Sequence, residues 1–191
     1  MSSRLVIVPR WGGGPESDWY PWLQHELKKR TPQPFDPILP ANLPHPQAPV
    51  LETWVAGIRE LAGTDPSEIA RTVFVGHSSG CRAILHYIAM LPHGSQVQGV
   101  LCVAGWWTVD HPWASLLPWI NTPVDLAQAR QASKRFVTLI SNNDRHTADW
   151  NTNRRLWKER LGAEVVVVPG ANHFNDAQQP AVLQALLDHF A

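Results

Sequence analysis

Three observations predict an α/β fold built on a mostly parallel sheet of about six strands, with helices on both faces. Short β-branched runs alternate with segments of helical periodicity along the 191 residues, the pattern of repeated βα units. The runs are continuously apolar, as strands covered on both faces require. The chain contains no repeat, low-complexity tract or linker, so a single domain without a large cap is expected, in keeping with its length.

The expected strands are Leu5–Val8, Thr72–Val75, Val97–Val103, Phe136–Ile140 and Glu164–Val168, with a weaker one near Phe35–Leu39 between prolines. Helices are expected over Asp18–Arg30, Val50–Ala62, Ser79–Met90, Trp150–Leu161 and Ala181–Phe190. In the first helix Trp19, Trp22, Leu23 and Leu27 recur at near-helical spacing, and Lys28-Lys29-Arg30 suits its C-terminal end. Gly162 is a helix stop after Leu161. The Pro-rich stretch Thr31–Pro49 mixes polar and apolar residues and reads as a loop over the surface.

Composition narrows the function classes. Sixteen Lys and Arg balance sixteen Asp and Glu, which argues against nucleic acid or an anionic membrane as partner, since both demand a cationic face. The longest nearly apolar stretch, Gly99 to Trp107, is far short of the roughly 18 residues that span a bilayer. The run Leu5–Val8, halted by Pro9, is too short for a signal-peptide core. Cys81 and Cys102 form neither a C-x-x-C pair nor a disulfide framework, which suits a reducing compartment, and a cytoplasmic location is expected. Ten Trp in a chain of zero net charge is the compositional oddity.

Gly76-His77-Ser78-Ser79-Gly80 directly follows the strand Thr72–Val75 and opens the next helix. This is a G-x-S-x-G nucleophile elbow in its strand–turn–helix setting. The sharp turn lifts the Ser78 hydroxyl above the sheet, and the two glycines let neighbouring backbone pass close. The Ser79 amide then lies at a helix N-terminus, where it can donate to an oxyanion.

A nucleophilic Ser needs a base, and the base needs an orienting carboxylate. In this kind of fold the chain order is Ser, acid, His, with each group beyond the carboxyl end of a strand. Asp144 closes the turn after Phe136–Ile140 and is the leading acid. Asp149 is the runner-up and reads better as the N-cap of the helix from Trp150. His173, in the loop after Glu164–Val168, is the candidate base. His77 lies too close in sequence to face its own Ser and reads as a packing residue. His146, beside Asp144 and Asp149, belongs to no recognisable ligand set, so no metal is expected. A second oxyanion donor should come from Pro9-Arg10-Trp11-Gly12-Gly13-Gly14, with the Trp11 amide favoured and Arg10 the alternative. The Arg10 side chain either attracts an acidic substrate group or pairs with a surface carboxylate.

At these residues the sequence resembles the small serine hydrolases related to retinoblastoma-binding protein 9, within the α/β-hydrolase superfamily. The matching pieces are Val6-Ile7-Val8-Pro9 with Gly12-Gly13-Gly14, Trp19-Tyr20-x-Trp22, Gly76-His77-Ser78-Ser79-Gly80, Ser141-x-x-Asp144 and His173-Phe174, spread over residues 6 to 174. The resemblance maps a triad onto Ser78, Asp144 and His173, and implies a cofactor-free hydrolase of small ester or amide acyl substrates. Two departures stand out. Arg10-Trp11 replaces the Gly-Asn common in relatives. The L-x-C-x-E motif tied to retinoblastoma-protein binding is absent around Cys81 and Cys102, so no such partner is implied.

The segment Ala104–Pro123 carries Trp106, Trp107, Trp113 and Trp119 after the strand ending at Val103, on the side where the site should lie. Aromatic walls there suit an apolar acyl pocket, with Trp106 or Trp107 nearest the nucleophile. The plainer alternative is that these Trp pin a long loop to the body. At the level of function, a serine carboxylesterase leads. A peptidase or amidase, and a non-catalytic interaction protein that keeps the fold, are the rivals.

Overall fold

A computed structural model describes residues 2–191. Six parallel strands form one sheet in the order β2-β1-β3-β4-β5-β6: β1 Ser3–Val8, β2 Phe35–Pro40, β3 Thr72–His77, β4 Gly99–Val103, β5 Phe136–Ser141 and β6 Glu164–Val168. The helices are α1 Tyr20–Lys28, α2 Leu51–Ala62, α3 Pro66–Ala70, α4 Ser79–Ala89, α5 Leu117–Asn121, α6 Leu126–Gln131, α7 Trp150–Leu161 and α8 Pro180–Phe190.

The alternation of side chains along each strand feeds two separate cores. Val6 and Val8 of β1, Phe74 of β3 and Val100 and Cys102 of β4 pack with α2, α4 and α7 on one face. Leu5 and Ile7, Val73 and Val75, and Leu101 and Val103 pack with α1 and α8 on the other. Residues of both sets are buried, which is why these strands are apolar without a gap. The exceptions are the two edge strands: β2, with Asp36 and Pro37 exposed, and β6, whose Val166 remains exposed.

Several expectations on local structure need correction. The Pro-rich stretch does not run wholly over the surface: the weaker strand expected near Phe35–Leu39 is present as β2, and Ala41 and Leu43 beyond it are buried. Proline is tolerated there because β2 is the other edge of the sheet. The fourth strand starts at Gly99, with Val97 forming only an isolated bridge to Ser133. The first helix begins at Tyr20 because Asp18 adopts a positive φ of 51° and turns its carboxylate to Arg10. Helices α3, α5 and α6 have five, five and six residues, too short to show helical periodicity.

Between β1 and β3 the order of strands reverses, since the chain moves outward to β2 and then back across to β3 and onward. In parallel sheets a crevice opens beyond the carboxyl ends of the strands at such a switch point. The loop after β1 and the turn after β3 both arrive there. No helix among the described residues is long and apolar enough to cross a membrane.

Candidate active site

The turn after β3 holds Ser78 at φ 53°, ψ −116°, a conformation that ordinary residues avoid. Its amide donates to the Val103 carbonyl at 2.8 Å, tying the turn to the end of β4. The flanking glycines are required by space. A Cβ on Gly76 would lie 2.7 Å from the Cys81 nitrogen, and one on Gly80 would lie 2.5 and 2.6 Å from the Val8 and Pro9 carbonyl oxygens. The start of α4 therefore nests against the exit of β1, bringing Ser79 and the Arg10–Gly14 loop together.

His173 and Asp144 come from the loops after β6 and β5. His173 Nδ1 lies 2.6 Å from Asp144 Oδ2, with both groups buried. The second carboxylate oxygen accepts the His146 amide at 2.9 Å. Burial pulls the Asp144 carboxyl upward, but the hydrogen bond and electrostatic pull of His173, aided by the His146 amide, outweigh it and keep it below the usual carboxylate range. Asp144 is therefore an anion that fixes Nδ1 as the protonated ring nitrogen of His173. Nε2 is left to accept a proton.

The two loops are cross-linked. Asn143 Nδ2 donates to Asn172 Oδ1 at 2.9 Å, and the Asn172 amide returns a 2.9 Å bond to Asn143 Oδ1. Asn172 and Phe174, on either side of His173, have φ values of 49° and 54°. Non-glycine residues at such angles cost on the order of 1–3 kcal/mol each and persist where surroundings enforce them. Here Trp19 Nε1 donates to the Phe174 carbonyl at 3.0 Å, and His77 Nε2 donates to the His173 carbonyl at 2.8 Å.

The second bond makes His77 more than packing. A carbonyl can only accept, so Nε2 carries the proton and Nδ1 must accept the Tyr20 hydroxyl at 2.8 Å. Tyr20 Oη in turn accepts the Arg10 amide at 3.1 Å. Burial, with help from the charge of His173, holds His77 well below the histidine range and keeps it neutral. One directional chain thus runs from the β1 loop through Tyr20 and His77 to the main chain of His173. Spacing alone shows Tyr20 as a core-facing helix residue; its polar tip was the available signal.

In the β1 loop, the amides of Arg10, Gly12, Gly13 and Gly14 are engaged by Tyr20, Pro46, Arg10 and Ser17 respectively. The Trp11 amide alone has no acceptor among the described residues. The Arg10 guanidinium is bound to both Asp18 oxygens, at 2.8 and 3.1 Å, and to the Trp11 carbonyl at 2.9 Å. It is held in place by a carboxylate of its own chain.

Ser78, Ser79 and His173 line a cavity of about 40 Å³ together with Trp106, Val109, Trp113, Leu116 and His146. Trp107 is not among its walls. It packs on Trp157 at 5.1 Å between the guanidinium groups of Arg82 and Arg160. His146, which the sequence did not mark as a site residue, lies edge-on to the His173 ring at 4.7 Å, and burial together with the nearby His173 charge lowers its pKa. A larger hollow of about 510 Å³, bordered by α2 and α4, contains none of these residues, so volume alone points away from the chemistry.

The parallel sheet, the serine elbow after β3 and the acid and histidine loops after β5 and β6 define an α/β-hydrolase fold without a large cap domain. Within that class the chain belongs to the Serine hydrolase family, which it matches over residues 5–189. Bacillus subtilis (strain 168) YdeN is 23 % identical over 201 residues, covering 100 % of this chain and 98 % of that protein. The YdeN crystal structure gives a TM-score of 0.83 at 21 % identity, covering 99 % of both chains. Est1E of Butyrivibrio proteoclasticus, solved with ferulic acid bound, gives 0.69 at 13 % identity, covering 98 % of this chain and 90 % of that one. A structure from work on carboxylesterases of Nitrososphaera gargenis gives 0.67 at 14 % identity, covering 99 % and 89 %. At these identities the likeness is one of fold.

Proposed function

We propose that the protein is a serine hydrolase that cleaves small carboxylic esters through an acyl-enzyme on Ser78. The observation that carries this reading is the buried Asp144–His173 pair, 2.6 Å apart, whose histidine lines the same cavity as Ser78. His173 Nε2 takes the Ser78 proton as Oγ attacks the acyl carbon, and Asp144 stabilises the imidazolium that forms. The Ser79 amide at the start of α4 and the free Trp11 amide receive the developing oxyanion. His173 then protonates the departing alcohol, and water, deprotonated by the same nitrogen, releases the acid. Trp106 forms part of the substrate-binding wall. The fold shared with carboxylesterases favours an ester over an amide, and the motifs of the retinoblastoma-binding protein 9 group are compatible with either.

Fluorophosphonate labelling tests the nucleophile. The wild type is expected to be labelled and Ser78→Ala not, with ester turnover reduced by about 10⁴ to 10⁶. Labelling that survives the substitution, or an unlabelled wild type, refutes the assignment. A panel of aryl esters and aminoacyl amides separates an esterase from a peptidase.

A further inference from the structure

The shape of the cavity at Ser78 bears on which acyl group can be held. Its volume is about 40 Å³. A site needs on the order of 10–15 Å³ of such space for each water-sized group, so this one holds about three. An acetyl group has three non-hydrogen atoms: the carbonyl carbon, its oxygen and one methyl.

The walls are unequal. Trp106 and Leu116 are 3 % and 2 % exposed, and form its buried apolar wall. Trp113 is 41 % exposed and marks the mouth, where its ring meets Trp11 edge-on at 5.3 Å. During turnover the acyl group stays bonded to Ser78 Oγ while the alcohol must leave. The buried wall of Trp106 and Leu116 is the apolar surface available to the retained acyl chain, and the exposed Trp113 side is the way out for the alcohol.

The segment that carries Trp106 is also stiff. Asn153, 1 % exposed on α7, accepts from the Trp107 and Thr108 amides at 2.7 and 3.1 Å and donates to the Thr108 carbonyl at 3.0 Å. Trp157 Nε1 donates to the Gly105 carbonyl at 3.0 Å, and the Arg82 guanidinium lies 5.7 Å from the Trp106 ring. A loop held at three residues does not readily retreat from a longer chain.

We infer that the protein is selective for acetyl esters, with Leu116 and Val109 setting the length limit. This rests on the serine-hydrolase reading of the same site. The Ser78 Oγ–carbon bond forms as the ester C–O bond breaks, and the alcohol leaves with the proton held by His173. Water then adds to the acetyl carbon, acetate departs, and the proton returns to Ser78.

The experiment compares p-nitrophenyl acetate, butyrate and octanoate by kcat/KM, alongside fluorophosphonate labelling of the same preparations. Misfit of even one methylene in an apolar pocket is worth about 10- to 200-fold. Acetate is expected to exceed butyrate by at least about tenfold, with octanoate slower still. Leu116→Ala, or Val109→Ala should the first variant fold poorly, is expected to raise the butyrate-to-acetate ratio about tenfold or more. Octanoate cleaved as fast as acetate overturns the inference, as does a ratio unmoved in folded variants of both residues. Labelled protein that turns over none of the esters overturns acetyl-ester selectivity while sparing the nucleophile. Absence of both labelling and turnover overturns the hydrolase reading itself.

Discussion

Asp144 is a short side chain with two oxygens facing different partners. One meets His173 Nδ1 at 2.6 Å and the other accepts the His146 amide at 2.9 Å. Replacing it with Asn keeps the shape and removes the charge. The amide can still satisfy one partner, but it can present NH₂ to His173 and so favour the tautomer with the proton on Nε2, which is useless as a base. Asp144→Asn is expected to lower kcat by about 10⁴ with a near-wild-type circular dichroism spectrum. Steady-state kinetics on an aryl acetate reads the loss, and a folded variant that keeps a tenth of wild-type kcat contradicts the assigned role.

Between elements, the Tyr20–His77 bridge joins the start of α1, the end of β3 and the loop that carries His173. It makes Trp19-Tyr20 a positioning pair, because Trp19 and Tyr20 act on neighbouring carbonyls: Phe174 directly, and His173 through His77. Tyr20→Phe keeps the ring in its pocket and removes the hydroxyl. The His77 Nδ1 acceptor and the Arg10 amide donor then lose their partner. Each unsatisfied buried group costs about 1–3 kcal/mol. The expected outcome is a lower urea midpoint together with a fall in kcat at little-changed KM. Thermodynamic loss with unaltered kcat would show the bridge to be structural only.

Across the whole molecule, stability should depend on pH through groups that sit far from one another. His77 is buried and neutral in the fold but takes an ordinary value near 6.5 when unfolded. His86, held down to about 4 first by burial and then by Arg82, has the same sign. Below about pH 6.5 the unfolded chain binds protons the native chain refuses, so stability falls as pH is lowered, by up to about 1.4 kcal/mol per unit for His77. Asp144 works in a separate window. Its depressed value gives stability that is present above the unfolded carboxylate range, near 4, and is lost as pH falls through the folded value. Urea midpoints measured at about pH 7.5 and about pH 5 should therefore differ, with the lower midpoint at pH 5. Equal midpoints would contradict a neutral buried His77.

The ten Trp divide by the same logic of burial. Trp19, Trp54, Trp119 and Trp157 are fully buried, and Trp119, expected with the site segment, donates to the Pro49 carbonyl within the scaffold. Trp106 and Trp113 reach the cavity. Strand positions, the elbow and the strand-end places of Asp144 and His173 were legible from the sequence, since they depend on apolar runs and on the few residues just beyond the end of each run. The short helices and the role of His77 were not, and the edge strand in the Pro-rich stretch showed only as a weak run between prolines. Local order along the chain thus determined the sheet, its two-sided core and the candidate chemical groups. Only the tertiary structure decided which amide of the β1 loop stays free, which Trp line the cavity at Ser78, and that Tyr20 and His77 hold the His173 loop. Those outcomes depend on contacts between residues up to 155 positions apart, as from Trp19 to Phe174, and such contacts leave no periodic trace in the chain.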